Sequence, residues 1–269
     1  MTRIIVITSG KGGVGKTTTT ANLGMALAQL GYQTALIDAD IGLRNLDLLL
    51  GLENRVIYTA LEILSGECRL DQAIIKDKRQ PGLTLLPAAQ NRNKDSITSD
   101  QMKYLVNLMK DQYDYILIDC PAGIEAGFHN AIKPAEEAIV VTTPEIAAVR
   151  DADRVIGLLE ANGIKKISLL VNRLRPQMVK ANDMMSVADV KEILAIPLIG
   201  VIPEDECVII STNRGEPLVL DKNLSLPGLA FENTACRLDG QKIEFLDLNS
   251  HSKGPFKRLR SFFLGSNTN

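Results

Sequence analysis

Long hydrophobic runs are missing from this chain. No stretch reaches about 18 consecutive apolar residues, the length that crosses a bilayer, so nothing in it reads as a membrane span. The N-terminus enters a β-rich run at once, with none of the layout of a secretory or transit segment, and the expected compartment is cytosol-like. Cysteine is sparse. Cys68, Cys120, Cys207 and Cys236 lie far apart with no C-x-x-C pair, and in a reducing compartment they read as small core or surface residues. His129 and His251 have no partner at metal-ligand spacing, which argues against a zinc site. Tryptophan is absent, and no internal repeat is visible. An excess of one charge is lacking too: a net charge of −2 gives no bulk pull on nucleic acid. No Pro-, Gly- or Ser-rich linker interrupts the chain before residue 240. What is present, 45% hydrophobic and 23% charged residues over 269 positions, suits a soluble body with a sizeable core.

The stretch that organises the rest is Gly10-Lys11-Gly12-Gly13-Val14-Gly15-Lys16-Thr17-Thr18, directly after the apolar run Ile4–Ile7. Its glycines let the backbone curl until the N–H groups point inward at an anion. A helix opening near Lys16 adds the positive end of its dipole to that cradle. In a phosphate loop of this form, Lys16 bridges the β- and γ-phosphates and the Thr17 hydroxyl holds Mg²⁺. Strand before and helix after make the match specific, and nucleotide binding follows. Lys11 is an addition. One lysine serves a loop's own nucleotide, and here a second stands at the loop's start.

Further β-rich runs recur at Thr34–Ile37, Leu83–Leu86, Tyr115–Ile118, Ala138–Thr142, Ile167–Val171 and Leu198–Ile202. Most are continuous rather than alternating, the mark of strands buried on both faces. Helical patterns lie between them. They are Thr17–Leu30 ending at Gly31, Ser99–Lys110 with Ser99 as cap, Ala147–Glu160 ending at Asn162-Gly163, and Val187–Leu194 capped by Ser186. The expected fold class is α/β: a mainly parallel twisted sheet flanked by helices, of P-loop NTPase type, with ligands outside the strand C-termini.

Carboxylates fall at two of those C-termini. Asp38 and Asp40 end the second run, and acids at i and i+2 leave a strand on the same side, toward the phosphate site. One can orient an attacking water while the other supports a Mg²⁺ shell. The fourth run ends in Asp119-Cys120-Pro121-Ala122-Gly123, which sets another carboxylate near the Mg²⁺ waters.

The loop with its early lysine resembles the deviant phosphate loop of the ParA/MinD family, K-G-G-x-G-K-T-T, on a SIMIBI-type scaffold. Other stretches are similar to the cell-division ATPases of that family. They are I-D-A-D-I-G-L-R-N-L-D from Ile37, A-I-I-K-D-K-R at Ala73–Arg79, L-P-A at 86–88, D-C-P-A-G-I-E from Asp119 and V-I-P-E-D-E from Val201. The resemblance covers roughly residues 2–221, and residues 222–250 match less obviously. The resemblance implies that Lys11 reaches across a nucleotide-sandwich homodimer to the partner's ATP. It makes Asp40 the switch I residue tied to hydrolysis, with Asp38 in support and Asp119 acting on Mg²⁺ through water. It makes Pro121-Ala122-Gly123 switch II, whose glycine N–H senses the γ-phosphate. It places Asn172 and the Pro203-Glu204-Asp205 turn at the adenine, where an asparagine amide can donate to N7 and accept from N6. Arg150, Asp151, Asp153 and Arg154 resemble the charged helix face that docks family partners; a solvated face is the other reading.

The tail reads K-G-P-F-K-R-L-R-S-F-F-L-G over Lys253–Gly265. On a helix, Phe256, Leu259 and Phe263 share one side, flanked by Phe262, while Lys257, Arg258 and Arg260 take the rest; Leu264 completes the apolar set. No acid follows Asp247, and three of the six phenylalanines lie here, the pattern of an interfacial amphipathic helix. Burying each apolar side chain yields at most roughly 1.5–3 kcal/mol. Each basic residue near an anionic leaflet adds about 1 kcal/mol. Ordering the segment costs on the order of 1–2 kcal/mol per residue. One tail is therefore a weak anchor. Two held together gain a factor of about 10²–10⁴ by effective concentration.

The expected organisation is an ATPase body over 1–240, a linker over 241–252 and a membrane-targeting helix over 253–265. The expected activity is Mg²⁺-dependent ATP hydrolysis, with Lys11, Lys16 and Asp40 as the catalytic set. It would work as a reversible switch on the cytoplasmic face of an anionic inner membrane. By resemblance its output is placement of the division site, with a division inhibitor and a hydrolysis-stimulating regulator as partners and no specific nucleic acid. A DNA-partitioning ATPase is the main rival, since it shares the loop but has no use for such a tail. An iron–sulfur carrier on the same scaffold needs cysteines shared across a dimer, which four scattered ones do not supply.

Overall fold

The computed structural model describes residues 1–89 and 97–248. Strand β1 (Arg3–Thr8) leads through the glycine loop into helix α1 (Lys16–Gln29) and back to β2 (Thr34–Asp38). Three short helices, α2 (Leu46–Leu49), α3 (Ala60–Leu64) and α4 (Leu70–Ala73), precede the two-residue β3 (Ile75–Lys76) and then β4 (Leu83–Leu86). Next come α5 (Ser99–Met109), β5 (Tyr115–Asp119), α6 (Ala126–Ile132), β6 (Glu137–Thr142), α7 (Ile146–Ala161) and β7 (Lys166–Leu174). The remainder is α8 (Pro176–Lys180), α9 (Val187–Leu194), β8 (Leu198–Pro203), α10 (Glu206–Arg214) and α11 (Leu226–Leu238).

The strands form one sheet in the order β3-β4-β2-β5-β1-β6-β7-β8. Every neighbouring pair is parallel except β3 with β4. The expected α/β class holds, with β3 added at one edge. Two residues are too few to show a periodicity, which is why β3 escapes a reading of hydrophobic runs. The continuous apolar runs are explained by burial on both faces. In β1, Ile4 and Val6 join the core beneath α5, α6, α7 and α9, while Ile5 and Ile7 join the core beneath α1 and α11.

Helix boundaries fall within a residue of expectation, and one cap differs. Thr98, not Ser99, caps α5: its side chain accepts from the Gln101 N–H, and the Gln101 side chain returns to the Thr98 N–H at 2.8 Å. Ser99 instead donates to Asn130 at 2.8 Å, a long-range partner invisible in sequence. Ser186 caps α9 as expected.

Residues 226–238 pack firmly although the resemblance is weaker there. Phe231 and Ala235 of α11 are buried in the core that α1 shares. At the far end of α11, the Arg3 guanidinium donates to the Leu238 carbonyl at 2.5 Å, and the Tyr115 hydroxyl to Asp239 at 3.1 Å. Residues 241–248, read as linker, contain no helix or strand, yet Arg237 donates to the carbonyls of Ile243 and Glu244 and Leu248 is buried. The helix expected over 253–265 lies outside the described residues. Among those described, no helix is long and apolar enough to cross a membrane.

Candidate functional site

The glycine loop sits where the sheet's central strand ends. Gly13 and Gly15 take φ of 76° and 99°, left-handed values that L side chains avoid. Gly15 caps α1, so the helix's unpaired N–H groups open onto the loop. Gly10 is required by packing instead, because a Cβ there would fall 2.4 Å from the backbone of Asp151 in α7. Inside the loop the Ser9 hydroxyl donates to the Lys11 carbonyl at 2.8 Å. The Thr19 hydroxyl donates to the Gly15 carbonyl, also at 2.8 Å. Val14 and Lys16 are buried, whereas Lys11, Gly12 and Gly13 are exposed. The two lysines thus differ in place. Lys16 lies within the cradle; Lys11 stands at its rim, 3.8 Å from Glu145, the residue that precedes α7.

Opposite the loop, the sheet brings two predicted acids side by side. Asp38 and Asp119 are partners in register on β2 and β5, both at the strand C-termini and both buried. Thr20 donates to Asp119 at 2.9 Å, and the Thr17 hydroxyl lies near enough to favour the ionised form of the same carboxylate, which puts hydroxyl and carboxylate together as the loop motif requires. Asp38 accepts from the N–H groups of Asp40 (3.0 Å) and Leu46 (3.3 Å), pinning both ends of switch I. Between them, Arg44 pairs with the buried Asp47 at 2.8 Å. Asp40 itself opens onto a cavity of about 180 Å³ that Pro121, Ala122, Glu125 and Phe128 also line. Ala122 of switch II reaches back to within 3.8 Å of where a Gly12 side chain would begin. The cavity thus lies between the segments that follow β2 and β5, and the second of these approaches the phosphate loop at Gly12.

Burial sets the electrostatics of this space. It pushes the Asp38 carboxyl up to about 8, with the nearby Asp119 charge adding to the shift and the two N–H donors opposing it. Burial likewise pushes Asp119 up to about 6, against the hydroxyls of Thr17 and Thr20 and the positive charge of Lys16. Two carboxylates held so unwillingly ionised form a site that a hard cation relieves, and hydroxyl plus carboxylate oxygens suit Mg²⁺. Among the described residues no three His, Cys, Asp or Glu side chains could hold a metal by themselves. An ion here would draw on Thr17, water and phosphate oxygens, as the motif implies. The neighbouring Cys120 thiol is pushed up to about 12 by burial, which removes it as a nucleophile.

A carboxyl that holds its proton to higher pH when folded weakens the fold as pH rises, from about 4 upward. The cost is complete above about 8, where Asp38 is ionised in both states. Asp38→Asn removes the charge but keeps an acceptor for only one of the two N–H groups, since they bond to different carboxylate oxygens. That loss does not vary with pH, and at pH 8 the relief of the buried charge outweighs it. The nucleotide-free variant should melt on the order of a few °C higher than the parent at pH 8. Its advantage should shrink toward pH 5. Melting curves across that range check it, and a variant less stable than the parent at pH 8 would contradict the reading.

The residues expected at the adenine have partners of their own. Asn172 is buried, and its amide bonds to the Val14 carbonyl of the loop at 2.8 Å. Pro203 ends β8, Glu204 pairs with Arg175, and Asp205 caps α10 by accepting from the Cys207 N–H at 2.8 Å. On α7, Arg150, Asp153 and Arg154 are exposed, while Asp151 abuts Gly10. Thr20, Ser9 and Glu145 were missed as site residues. The run Thr17–Thr20 carried a signal for Thr20, since i and i+3 share a helix face. Nothing local marks Glu145.

Residues 5–218 match the family described as the CobQ/CobB/MinD/ParA nucleotide binding domain. The chain is 87% identical over 269 residues, all of both chains, to a putative septum site-determining protein MinD of Guillardia theta. In structure it is similar to the MinC:MinD cell division protein complex of Aquifex aeolicus. There the TM-score is 0.84 at 50% identity, covering 90% of this chain and 97% of that one. It is also similar to the septum site-determining protein MinD of Pyrococcus horikoshii complexed with Mg-ADP. That match has a TM-score of 0.81 at 35% identity, covering 89% of this chain and 96% of that one.

Proposed function

We infer the following for a chain that belongs to the CobQ/CobB/MinD/ParA family of nucleotide-binding domains. It is a nucleotide-binding ATPase that acts in placing the division septum, the role its full-length relatives carry in their names. DNA partitioning, the rival role, is not favoured. More finely, it hydrolyses ATP to ADP and phosphate and uses the cycle to time its stay on a membrane.

ATP binds in the loop with Lys16 on its phosphates. Thr17, with Asp38 and Asp119 through water, would hold Mg²⁺, which supplies charge neutralisation at the phosphate oxygens. Asp40, at the cavity between the switches, orients the attacking water. A second copy closes over the nucleotide, and its Lys11 adds positive charge as the phosphoryl group transfers. Paired tails, through Phe256, Leu259, Phe262, Phe263 and Leu264 with Lys257, Arg258 and Arg260, then hold an anionic bilayer. ADP loosens the pair and the tails release. A MinC-like inhibitor and a MinE-like stimulator are the proposed partners, with the exposed charges of α7 as docking face. That helix abuts Gly10, so a partner there bears directly on the loop.

The observation that carries this reading is the position of Lys11. Its ammonium is half-exposed at the rim beside Glu145, available to a facing subunit rather than buried in its own cradle like Lys16. The test is sedimentation with anionic vesicles in ATP and in ADP: binding only with ATP is expected. Lys11→Ala should bind nucleotide as the parent does yet remain monomeric in analytical ultracentrifugation with ATP. A variant that still dimerises would remove the trans role.

A further inference from the structure

Asn172 is expected at the base, yet its side chain is tied to the phosphate loop. Its Nδ2 donates to the Val14 carbonyl at 2.8 Å, and its Oδ1 accepts from the Arg173 N–H at 2.9 Å. The second bond fixes which way the amide faces, so an N–H stays aimed at the loop. Arg173 has φ of 57°, a left-handed value uncommon outside glycine, so β7 keeps an unusual backbone beside this contact. Gly15 closes the other side. A Cβ on it would come within 2.2 Å of Nδ2, so the amide occupies the space a side chain would need.

The Val14 carbonyl and the Gly15 N–H belong to one peptide unit. Because that unit is planar and trans, anchoring the carbonyl toward Asn172 turns the Gly15 N–H to the opposite side. Gly15 caps α1 and its N–H is given no backbone acceptor among the described residues, so the group is left for an anion, which an N–H attracts and a carbonyl would repel. The Asn172 contact crosses 158 residues of chain and is buried, so it is not a local turn preference.

We propose that Asn172 is a positioning residue for the phosphate loop, holding the Val14–Gly15 peptide in its anion-binding orientation whether or not a base is bound. This rests on the nucleotide-binding reading above and adds a role to the base-side one. It makes the loop preset rather than shaped by its ligand.

Inorganic tripolyphosphate with Mg²⁺ separates the roles, because it has phosphates and no base. Full-length parent, Asn172→Ala and the bulk-preserving Asn172→Leu are titrated with tripolyphosphate and with ATP. Both variants should bind tripolyphosphate roughly three- to ten-fold more weakly, the range of one buried hydrogen bond. KM for ATP should rise at least as much, with the number of titratable sites unchanged. Weakened ATP with unchanged tripolyphosphate binding would confine Asn172 to the base and overturn the proposal. So would a loss of sites at unchanged Kd, the mark of a merely structural role. Nuclear magnetic resonance of the nucleotide-free parent gives a readout that needs no variant. Slow exchange of the Asn172 amide protons supports the contact, and exchange at the solvent rate refutes it. If the parent binds neither ligand, the nucleotide reading itself fails and takes this proposal with it. Binding by the parent with variants unaltered sinks the positioning role alone.

Discussion

Lys16→Ala should abolish ATP turnover, a loss of at least about 10²–10³ in kcat, the scale of removing one preorganised charge from a transferring phosphoryl group. The side chain is 8% exposed, and its charge acts on the buried Asp119. Low local dielectric makes such a charge far more effective than the same ammonium in water. Loss of the fold is not the expected cause. Without Lys16, Asp119 loses the charge that favours its ionised form and takes up a proton more readily, so the neutral pair persists to higher pH than in the parent. Phosphate release measured beside a melting curve separates the two effects. A steady-state rate unchanged in both Lys16→Ala and Lys11→Ala would rule out the hydrolytic scheme.

The second large effect is expected from removing the chain from Lys253 onward. The proposed nucleotide site uses residues 10–205, so ATP binding should persist at parental affinity. Co-sedimentation with anionic vesicles should fall to background. The gain at stake is about 10²–10⁴, the factor by which pairing two weak anchors exceeds one. Equal sedimentation with and without the segment would show that the body itself carries the membrane surface. High salt gives an independent check, since the contribution of Lys257, Arg258 and Arg260 is screened within about 8 Å at physiological ionic strength.

Much of this architecture was legible in the sequence because continuous apolar runs admit few arrangements. Strands buried on both faces need helices on both faces, and the glycine loop fixes which end binds. Asp38, Asp40 and Asp119 could be placed because a strand's end fixes a direction, and β2 and β5 do set Asp38 and Asp119 in register. What stayed hidden depends on contacts far apart in the chain. Nothing near Thr98 or Ser99 says that Ser99 will be drawn to Asn130. The edge strand β3 is recruited by pairing with β4 rather than by its own pattern. Asn172 and Glu145 show the same limit at the site: their roles come from which strands and helices end beside the loop. The coil at 241–248 holds through the Arg237 guanidinium, which no reading of composition would choose over a free linker.

The C-terminal part of the body is fastened at the opposite pole from the nucleotide. Arg3 and Tyr115, at the starting ends of their strands, grip Leu238 and Asp239, while the phosphate loop begins where β1 finishes, about 20 Å further along the strand. In the proposed cycle the news can therefore travel as head-count, one molecule or two, and the sheet between can stay rigid throughout.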